Sequence, residues 1–177
     1  MNRVTELIPY NPAYASQTVQ AYLEVFTAPP WNEALSLNDA LSQLETDAQR
    51  EGFGGILART GQEIGGFSWW FDISGPELND RWRLRFAPKE KVPHLEGRGV
   101  FLMEFGILPT LRHHGLGKKI LDATLEQIEP NHDWIALNTS NIAHAGLALL
   151  KSRAFEDLGL KGIQVPTRIC LVKWMHP

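Results

Sequence analysis

The sequence predicts a mixed α/β fold in which one central β-sheet is flanked by helices. Apolar runs with strand character alternate along the chain with segments whose apolar residues recur at helical spacing. The run from Val100 to Leu108 is almost continuously apolar, as is typical of a buried central strand. The 177 residues, 44% hydrophobic and 21% charged, suit a single globular domain over 1–177.

The first half of the chain is predicted to form a strand, two helices and a hairpin. The first helix ends at Pro29 and Pro30, and the second has Ser36 or Asn38 as its cap. The hairpin turns at Gly61. The residues predicted to share one face of the first helix are Ala15, Val19, Tyr22, Leu23 and Phe26. The predicted bounds, in order, are 4–8, 12–28, 37–49, 53–58 and 63–71.

The second half is predicted to contain an irregular insert and then a strand, a helix, a strand, a helix and two strands. Within the insert, Arg81, Arg83 and Arg85 alternate with apolar residues, which predicts a strand with three arginines on one face. Such a face either protects a sheet edge or recognises an acidic acceptor or a nucleic-acid backbone. Pro109 ends the central strand. The predicted bounds are 72–99 for the insert, then 100–108, 115–129, 134–137, 142–152, 155–160 and 168–174.

Charge and composition argue against several classes of protein. A net charge of -3 provides no strong field for nucleic acid, so we do not expect a nucleic-acid partner. The single cysteine, Cys170, fits a reducing compartment and is expected to be a buried thiol, not a nucleophile. The N-terminus lacks the apolar core of a signal peptide, and no apolar run has the length of a membrane span. We therefore expect a cytoplasmic protein with no membrane partner.

The segment with the clearest chemistry is 104–119, with the sequence EFGILPTLRHHGLGKK. It is predicted to be a buried strand, a loop with two glycines and the start of a helix. Gly115 and Gly117 let the main chain approach a ligand closely, and the unpaired N–H groups of a first helical turn favour an anion. Arg112, Lys118 and Lys119 add positive charge. The segment therefore predicts a phosphate site.

Two common phosphate motifs do not match this loop. A Walker A loop needs glycine at 112 and serine or threonine at 119, where Arg112 and Lys119 stand. A dinucleotide fingerprint needs a third glycine at 120, where the residue is Ile120. The remaining structural alternative is a glycine-capped loop before an ordinary amphipathic helix.

The pattern Arg-x-x-Gly-x-Gly after Pro109, together with the order of elements, resembles the acetyl-CoA motif of the GNAT acetyltransferases. The resemblance implies a GNAT-type mixed central sheet in which two splayed parallel strands hold acetyl-CoA as a co-substrate. It implies that the main chain of Phe105 and Ile107 binds the pantetheine arm, and Gly106 suits the bulge that opens the gap. The implied pyrophosphate cradle consists of Arg112, His113, His114, Gly115, Leu116, Gly117 and Lys118.

The resemblance also implies N-acetylation of a primary amine, on a small molecule or a peptide, by direct attack on the thioester. Burial within the apolar run is expected to raise the pKa of Glu104 and make it the general base; alternatively, an arginine or backbone N–H groups hold this carboxylate. In GNAT folds the link between the first two helices lines the acceptor pocket. Trp31 is then expected to pack on the acceptor and Glu33 to attract its ammonium group; alternatively, the link is a turn anchored by the tryptophan.

The family pattern is not complete near the end of the chain. Leu150 stands where the family has a tyrosine that protonates the departing thiolate, Ala154 replaces a glycine, and Ala143 replaces an asparagine. A leucine cannot donate a proton, so a non-catalytic acyl-CoA-binding module is the alternative function. Asn141 is expected to be a helix N-cap. His144 is expected to be a surface or packed histidine, and the alternative is that it serves as a substitute acid.

Two further expectations concern metals and assembly. No metal site is expected at His113 and His114, because no third ligand stands at a suitable spacing. Terminal strands like these often support homodimers in the family, so a homodimer is a possible assembly.

Overall fold

The computed structural model describes residues 5–175. Its strands are β1 Glu6–Pro9, β2 Gly54–Thr60, β3 Glu63–Ile73, β4 Phe86–Ala87, β5 Gly99–Ile107, β6 Trp134–Ser140, β7 Glu156–Gly162 and β8 Arg168–Trp174. Its α-helices are α1 Ala15–Thr27, α2 Leu37–Ala48, α3 Gly75–Arg85, α4 Leu116–Ile128 and α5 His144–Lys151. The predicted mixed α/β order is confirmed; residue 4 of the first predicted strand lies outside the described residues.

The eight strands pair in the order β1-β2-β3-β5-β6-β8-β7-β4. Antiparallel ladders join β1 to β2, β2 to β3, β6 to β8, β7 to β8 and β4 to β7, whereas β5 and β6 run parallel. The sheet is therefore mixed, as the sequence predicts. The parallel ladder runs from Gly99 opposite Trp134 to Phe101 opposite Ala136, and β5 continues beyond this ladder to Ile107.

The chain divides into two compact units. One comprises Met1–Phe71 and Met103–Gln127, and the other comprises Asp72–Leu102 and Ile128–Pro177. Strand β5 thus contributes its first residues to the second unit and its last residues to the first. The single domain predicted over 1–177 stays a prediction. Across 5–175, no helix has both the length and the apolar character needed to cross a membrane.

The core of the first unit lies where α1 and α2 pack on strands β2 and β3. Its buried residues are Val19, Ala21, Val25, Phe26, Ala40, Leu44, Leu57, Ile64, Phe67 and Trp69. Helix α2 begins as predicted at Ser36, whose hydroxyl accepts a hydrogen bond from the Asp39 N–H at 3.1 Å. Gly61 has a φ of 66°, which is the left-handed conformation that the predicted β2–β3 turn requires.

Helix α4 is fixed to β3 by a glycine pair and a buried hydrogen bond. A Cβ atom on Gly66 would lie 2.7 Å from Ile120 Cδ1 and 2.8 Å from Ile107 Cδ1, and one on Gly65 would overlap the Leu111 side chain. The Ser68 and Thr124 hydroxyls, both buried, are 2.6 Å apart. The absence of side chains at 65 and 66 therefore sets how closely the β5–α4 segment approaches β3.

The predicted strand containing the three arginines is wrong, because residues 75–85 form helix α3. The Ser74 hydroxyl accepts from the Glu77 N–H at 3.3 Å, and Pro76 occupies the first turn. Trp82 is 1% exposed whereas Leu84 is 79% exposed, so the apolar residues do not form one strand face. The cap at Ser74, the proline in the first turn and the arginines in the last turn all stabilise a helix. Together they determine the structure of this segment more strongly than the short alternation of arginine and apolar residues.

The predicted cap of the last helix is also wrong. Helix α5 begins after Ala143, which makes no side-chain capping hydrogen bond. Asn141 lies before it, and its N–H donates to the Thr167 carbonyl at 2.8 Å. His144, by contrast, is exposed as expected.

The end of α5 holds an alanine in a conformation that favours glycine. Ala154 has a φ of 63°, and the next N–H, from Phe155, donates to the Leu150 carbonyl at 3.3 Å. Ala154→Gly is expected to raise the free energy of unfolding by about 0.5–1 kcal/mol, because it removes left-handed strain at some cost in chain entropy. Urea denaturation measures this change.

The matched control is Ala148→Gly, at an exposed position within α5. There the same substitution is expected to lower the free energy of unfolding by about 1 kcal/mol, because glycine is a poor helix residue. A loss of stability for both variants would contradict the assignment of strain to Ala154.

Candidate functional site

At the end of β5, the main-chain N–H and C=O groups of successive residues point to opposite sides of the strand. The Leu108 N–H donates to the Gly65 carbonyl of β3 at 3.0 Å. Because main-chain groups alternate between the two edges of a strand, Phe105 and Ile107 direct their N–H and C=O groups away from β3. These are the two residues that the family resemblance implies for the pantetheine arm. Both are half-buried.

Gly106 lies between them and faces Phe67 of β3 and Val25 of α1. A Cβ atom there would lie 2.6 Å from Phe67 Cζ and 3.0 Å from Val25 Cγ1. Close packing against α1 and β3 therefore supplies a reason for glycine at this position, in addition to the bulge suggested by the sequence.

The loop after β5 makes a sharp turn into α4. Pro109–Leu111 form one 3-10 turn, and the Lys119 N–H donates to the Gly115 carbonyl at 3.2 Å, which makes Gly115 the residue that starts the helix. His113 has a φ of 67° and Gly115 a φ of 76°. His113 is not a glycine, so its left-handed conformation stores backbone strain of the kind found at functional sites, whereas Gly115 adopts this conformation without steric cost.

The start of α4 has the properties of an anion site. Leu116, Gly117 and Lys118 occupy the first turn, where N–H groups have no intrahelical acceptor. The loop residues 113–115 and the side chains of Lys118 and Lys119 are exposed. The helix dipole and the lysines both favour a negatively charged ligand here.

Arg112 has a role that the sequence does not reveal. Its Nε donates to the Ile107 carbonyl at 3.3 Å and its Nη1 to the Pro29 carbonyl at 3.2 Å. The guanidinium group therefore links the end of β5 to the segment between α1 and α2. Its charge remains near the loop, while its N–H groups are directed to protein carbonyls.

Glu104 is half-buried on the face of β5 that packs against α1. The Tyr22 hydroxyl of α1 donates to Glu104 Oε1 at 3.5 Å. Tyr22 itself is half-buried, and its ring packs against Phe26 with a centroid distance of 4.7 Å. The sequence predicts the inward direction of Tyr22 from helical spacing, but it gives no sign of the Tyr22–Glu104 contact.

Trp31 and Glu33 lie in the segment between α1 and α2, and both are half-buried. The Trp31 ring packs on Phe26 with a centroid distance of 5.2 Å. The Glu33 N–H donates to the Phe26 carbonyl at 2.9 Å, which holds the segment against the end of α1. Arg112 reaches the same segment through Pro29.

The second unit holds the remaining residues considered from the sequence. Leu150 is 4% exposed and lies in α5. Cys170 is buried, and burial together with the nearby Asp157 carboxylate raises the pKa of its thiol far above the ordinary value. A thiol that stays protonated agrees with a structural role for Cys170. Over the described range 5–175, no group of three or more metal-binding side chains is found.

No family model matches the sequence, and comparison with curated proteins also finds no match. Solved structures do match. One is an acetyltransferase of the GNAT family from Staphylococcus aureus Mu50, with a TM-score of 0.69 and 17% identity, covering 98% of this chain and 100% of that one. The ribosomal-protein-S18-alanine N-acetyltransferase from Escherichia coli has a TM-score of 0.69 and 11% identity, covering 98% of this chain and 96% of that one.

A third match is NAA60 from Arabidopsis thaliana, solved in complex with a bisubstrate analogue. It has a TM-score of 0.66 and 14% identity, covering 98% of this chain and 100% of that one. At these identities the likeness is one of fold. The chain has the GNAT acetyltransferase fold, as the sequence resemblance implies.

Proposed function

We propose that this protein is an N-acetyltransferase that transfers the acetyl group of acetyl-CoA to a primary amine on a small molecule or a peptide. The observation that carries the proposal is the loop from His113 to Gly115, whose two left-handed residues lead into the exposed N-terminus of α4. On a GNAT fold this loop has the chemistry needed to hold a pyrophosphate.

In the proposed complex, the pyrophosphate lies against the loop that begins at Arg112 and binds main-chain N–H groups of His113, His114, Gly115, Leu116, Gly117 and Lys118. The pantetheine arm pairs with the main chain of Phe105 and Ile107, at the edge of β5 directed away from β3. Gly106 allows β5 to pack closely on α1, and this packing helps to fix the position of the strand edge that binds the pantetheine arm. Arg112 contributes charge, because its N–H donates to the Pro109 carbonyl at 3.4 Å and its side chain donates to the Ile107 and Pro29 carbonyls.

The proposed reaction needs no acyl-enzyme. A neutral amine nitrogen forms a bond to the thioester carbonyl carbon, and main-chain N–H groups stabilise the negative charge that develops on oxygen. The C–S bond then breaks and releases the CoA thiolate. Glu104 takes the proton from the amine, directly or through a water molecule. Because a thiol has a reference pKa of about 8.5, the thiolate can leave without a strong proton donor.

The acceptor is proposed to enter beside the segment between α1 and α2. Trp31 offers a half-exposed aromatic face to the carbon chain of the acceptor, and Glu33 offers a carboxylate to a second cationic group. Both are held in place by Phe26, through the ring contact of Trp31 and the Glu33 N–H hydrogen bond.

A thiol-release assay tests the proposal. The purified protein is mixed with acetyl-CoA and, one class at a time, with polyamines, aminoglycosides, amino acids and peptides that carry a free N-terminus. We expect amine-dependent release of CoA thiol, with an acetylated acceptor detected by mass spectrometry. No thiol release with any class, from a folded protein, would count against the proposal.

Leu150 favours one alternative, a module that binds acyl-CoA without turnover. Its buried side chain cannot protonate a leaving group. Isothermal titration with CoA separates the two functions when it is combined with the thiol assay. Tight CoA binding without turnover, with Glu104 intact, would favour the binding module, whereas binding with turnover favours the enzyme.

A further inference from the structure

We infer that Tyr22 is a positioning residue for Glu104, and that its hydroxyl holds the carboxylate in its ionised, base-competent form. The inference rests on the proposed function, in which Glu104 accepts the proton of the amine. Tyr22 belongs to α1 and Glu104 to β5, so the contact joins residues 82 positions apart in the sequence.

The contact depends on how closely α1 packs on β5. Gly106 has no side chain, and a Cβ atom there would lie 2.6 Å from Phe67 Cζ of β3 and 3.0 Å from Val25 Cγ1 of α1. This close packing brings the Tyr22 hydroxyl to 3.5 Å from Glu104 Oε1. The distance is long for an O–H···O hydrogen bond, as is often found for catalytic hydrogen bonds before substrate binds.

The Tyr22 ring is fixed by aromatic neighbours on several sides. Its centroid lies 4.7 Å from that of Phe26, 6.0 Å from that of Phe67 and 5.7 Å from that of Trp69. Phe67 and Trp69 are almost fully buried. The ring therefore has little freedom to rotate, and its hydroxyl is directed before any ligand binds.

A second set of contacts fixes Trp69 behind the tyrosine. The Trp69 indole N–H donates to Asp47 Oδ2 at 3.1 Å, and the Gln43 side-chain amide donates to Asp47 Oδ1 at 2.8 Å. Asp47 is 3% exposed. A buried carboxylate thus holds the indole, the indole supports the Tyr22 ring, and the ring places the hydroxyl at Glu104.

The hydroxyl has a specific chemical effect in this position. A hydrogen bond donated to a carboxylate favours the ionised form, whereas desolvation on an apolar strand favours the protonated form. Tyr22 therefore opposes the effect of burial at Glu104. A general base must be ionised when the amine attacks in order to accept its proton.

Tyr22→Phe tests the inference, because it keeps the ring and removes the hydroxyl. With an acceptor found in the thiol-release assay, we expect kcat to fall about tenfold and the acid limb of the kcat/KM profile to move about one pH unit higher. The KM for acetyl-CoA is expected to stay within about twofold of its original value. Thermal melting confirms that the variant is folded.

The matched control is Tyr14→Phe, in the 3-10 turn immediately before α1. It removes a hydroxyl that accepts a hydrogen bond from Arg59 Nη1 at 2.6 Å, away from Glu104. This variant is expected to keep both kcat and the pH profile. A shift of the acid limb in the control as large as that in Tyr22→Phe would overturn the inference.

Two further measurements identify the residue through which Tyr22 acts. In a Glu104→Gln background, adding Tyr22→Phe is expected to cause no further loss of kcat, since the two changes remove one coupled function. In protein labelled with ¹³C at glutamate carboxyls, the Glu104 signal is expected to titrate at higher pH in Tyr22→Phe.

Additive losses of kcat, or an unchanged Glu104 titration, would overturn the inference while leaving acetyl transfer intact. Absence of acetyl transfer in the original protein is a different result, because it would overturn the proposed function and the role of Tyr22 with it.

Discussion

Glu104→Gln is expected to lower kcat for acetyl transfer by about 10²- to 10⁴-fold, which is the usual contribution of a general base. Glutamine keeps the size and shape of the side chain but cannot accept the amine proton. The dissociation constant of acetyl-CoA is expected to stay within about twofold, since the proposed CoA contacts use main-chain groups of β5 and the loop before α4. Steady-state kinetics and isothermal titration measure the two quantities.

The control for this variant is Glu24→Gln, at an exposed position of α1. It makes the same change of charge and size in the same unit, and it is expected to leave kcat within about twofold. A Glu104→Gln variant that retains the original kcat at neutral pH would exclude Glu104 as the base. The attacking amine would then need another proton acceptor.

Replacement of both Gly115 and Gly117 by valine is expected to weaken CoA binding at least about 100-fold, or about 3 kcal/mol. Gly115 has a φ of 76°, which a β-branched residue adopts only with strain, so the loop is expected to change conformation. A valine at 117 adds bulk to the first turn, next to the N–H groups proposed to bind the pyrophosphate. Isothermal titration with CoA measures the loss.

Gly61→Val is the matched control for backbone strain. Gly61 has a φ of 66°, and a Cβ atom on either Gly61 or Gly115 would meet no other atom within 4 Å. The control therefore introduces similar strain in the β2–β3 turn and is expected to leave CoA affinity unchanged. Unchanged CoA affinity in a folded Gly115→Val, Gly117→Val protein would overturn the proposed pyrophosphate site.

The sequence predicts the parts of the fold that depend on periodicity and on strong breakers. The run that forms β5 is apolar except for Glu104, and Ser36 and Gly61 mark a helix start and a turn by local chemistry. Helix α3 was not predicted because arginines and apolar residues alternate over six positions near its end, and this alternation indicated a strand. Ser74 and Pro76, which mark its start, stand just before that stretch.

Of the candidate site, the sequence predicts the part that depends on a local motif, but it does not predict contacts between distant residues. The glycine loop is a local motif, so the sequence places it correctly at the start of α4. The Tyr22–Glu104 contact and the hydrogen bond from Arg112 to the Pro29 carbonyl join residues that are distant in the sequence. Helical spacing indicates which face a residue occupies, but it does not identify a partner on another element.

The glycine pair of β3 has a consequence for how this sequence can change. Leu111 occupies the space above Gly65, and Ile120 and Ile107 occupy the space above Gly66. A larger residue at either glycine requires one of these three side chains to move or to become smaller. A larger side chain at 65 or 66 in β3 is thus accommodated by a smaller one at 107, 111 or 120. Substitution at residue 65 therefore offers protein engineers a way to shift the loop between β5 and α4 relative to β3 without changing the loop itself.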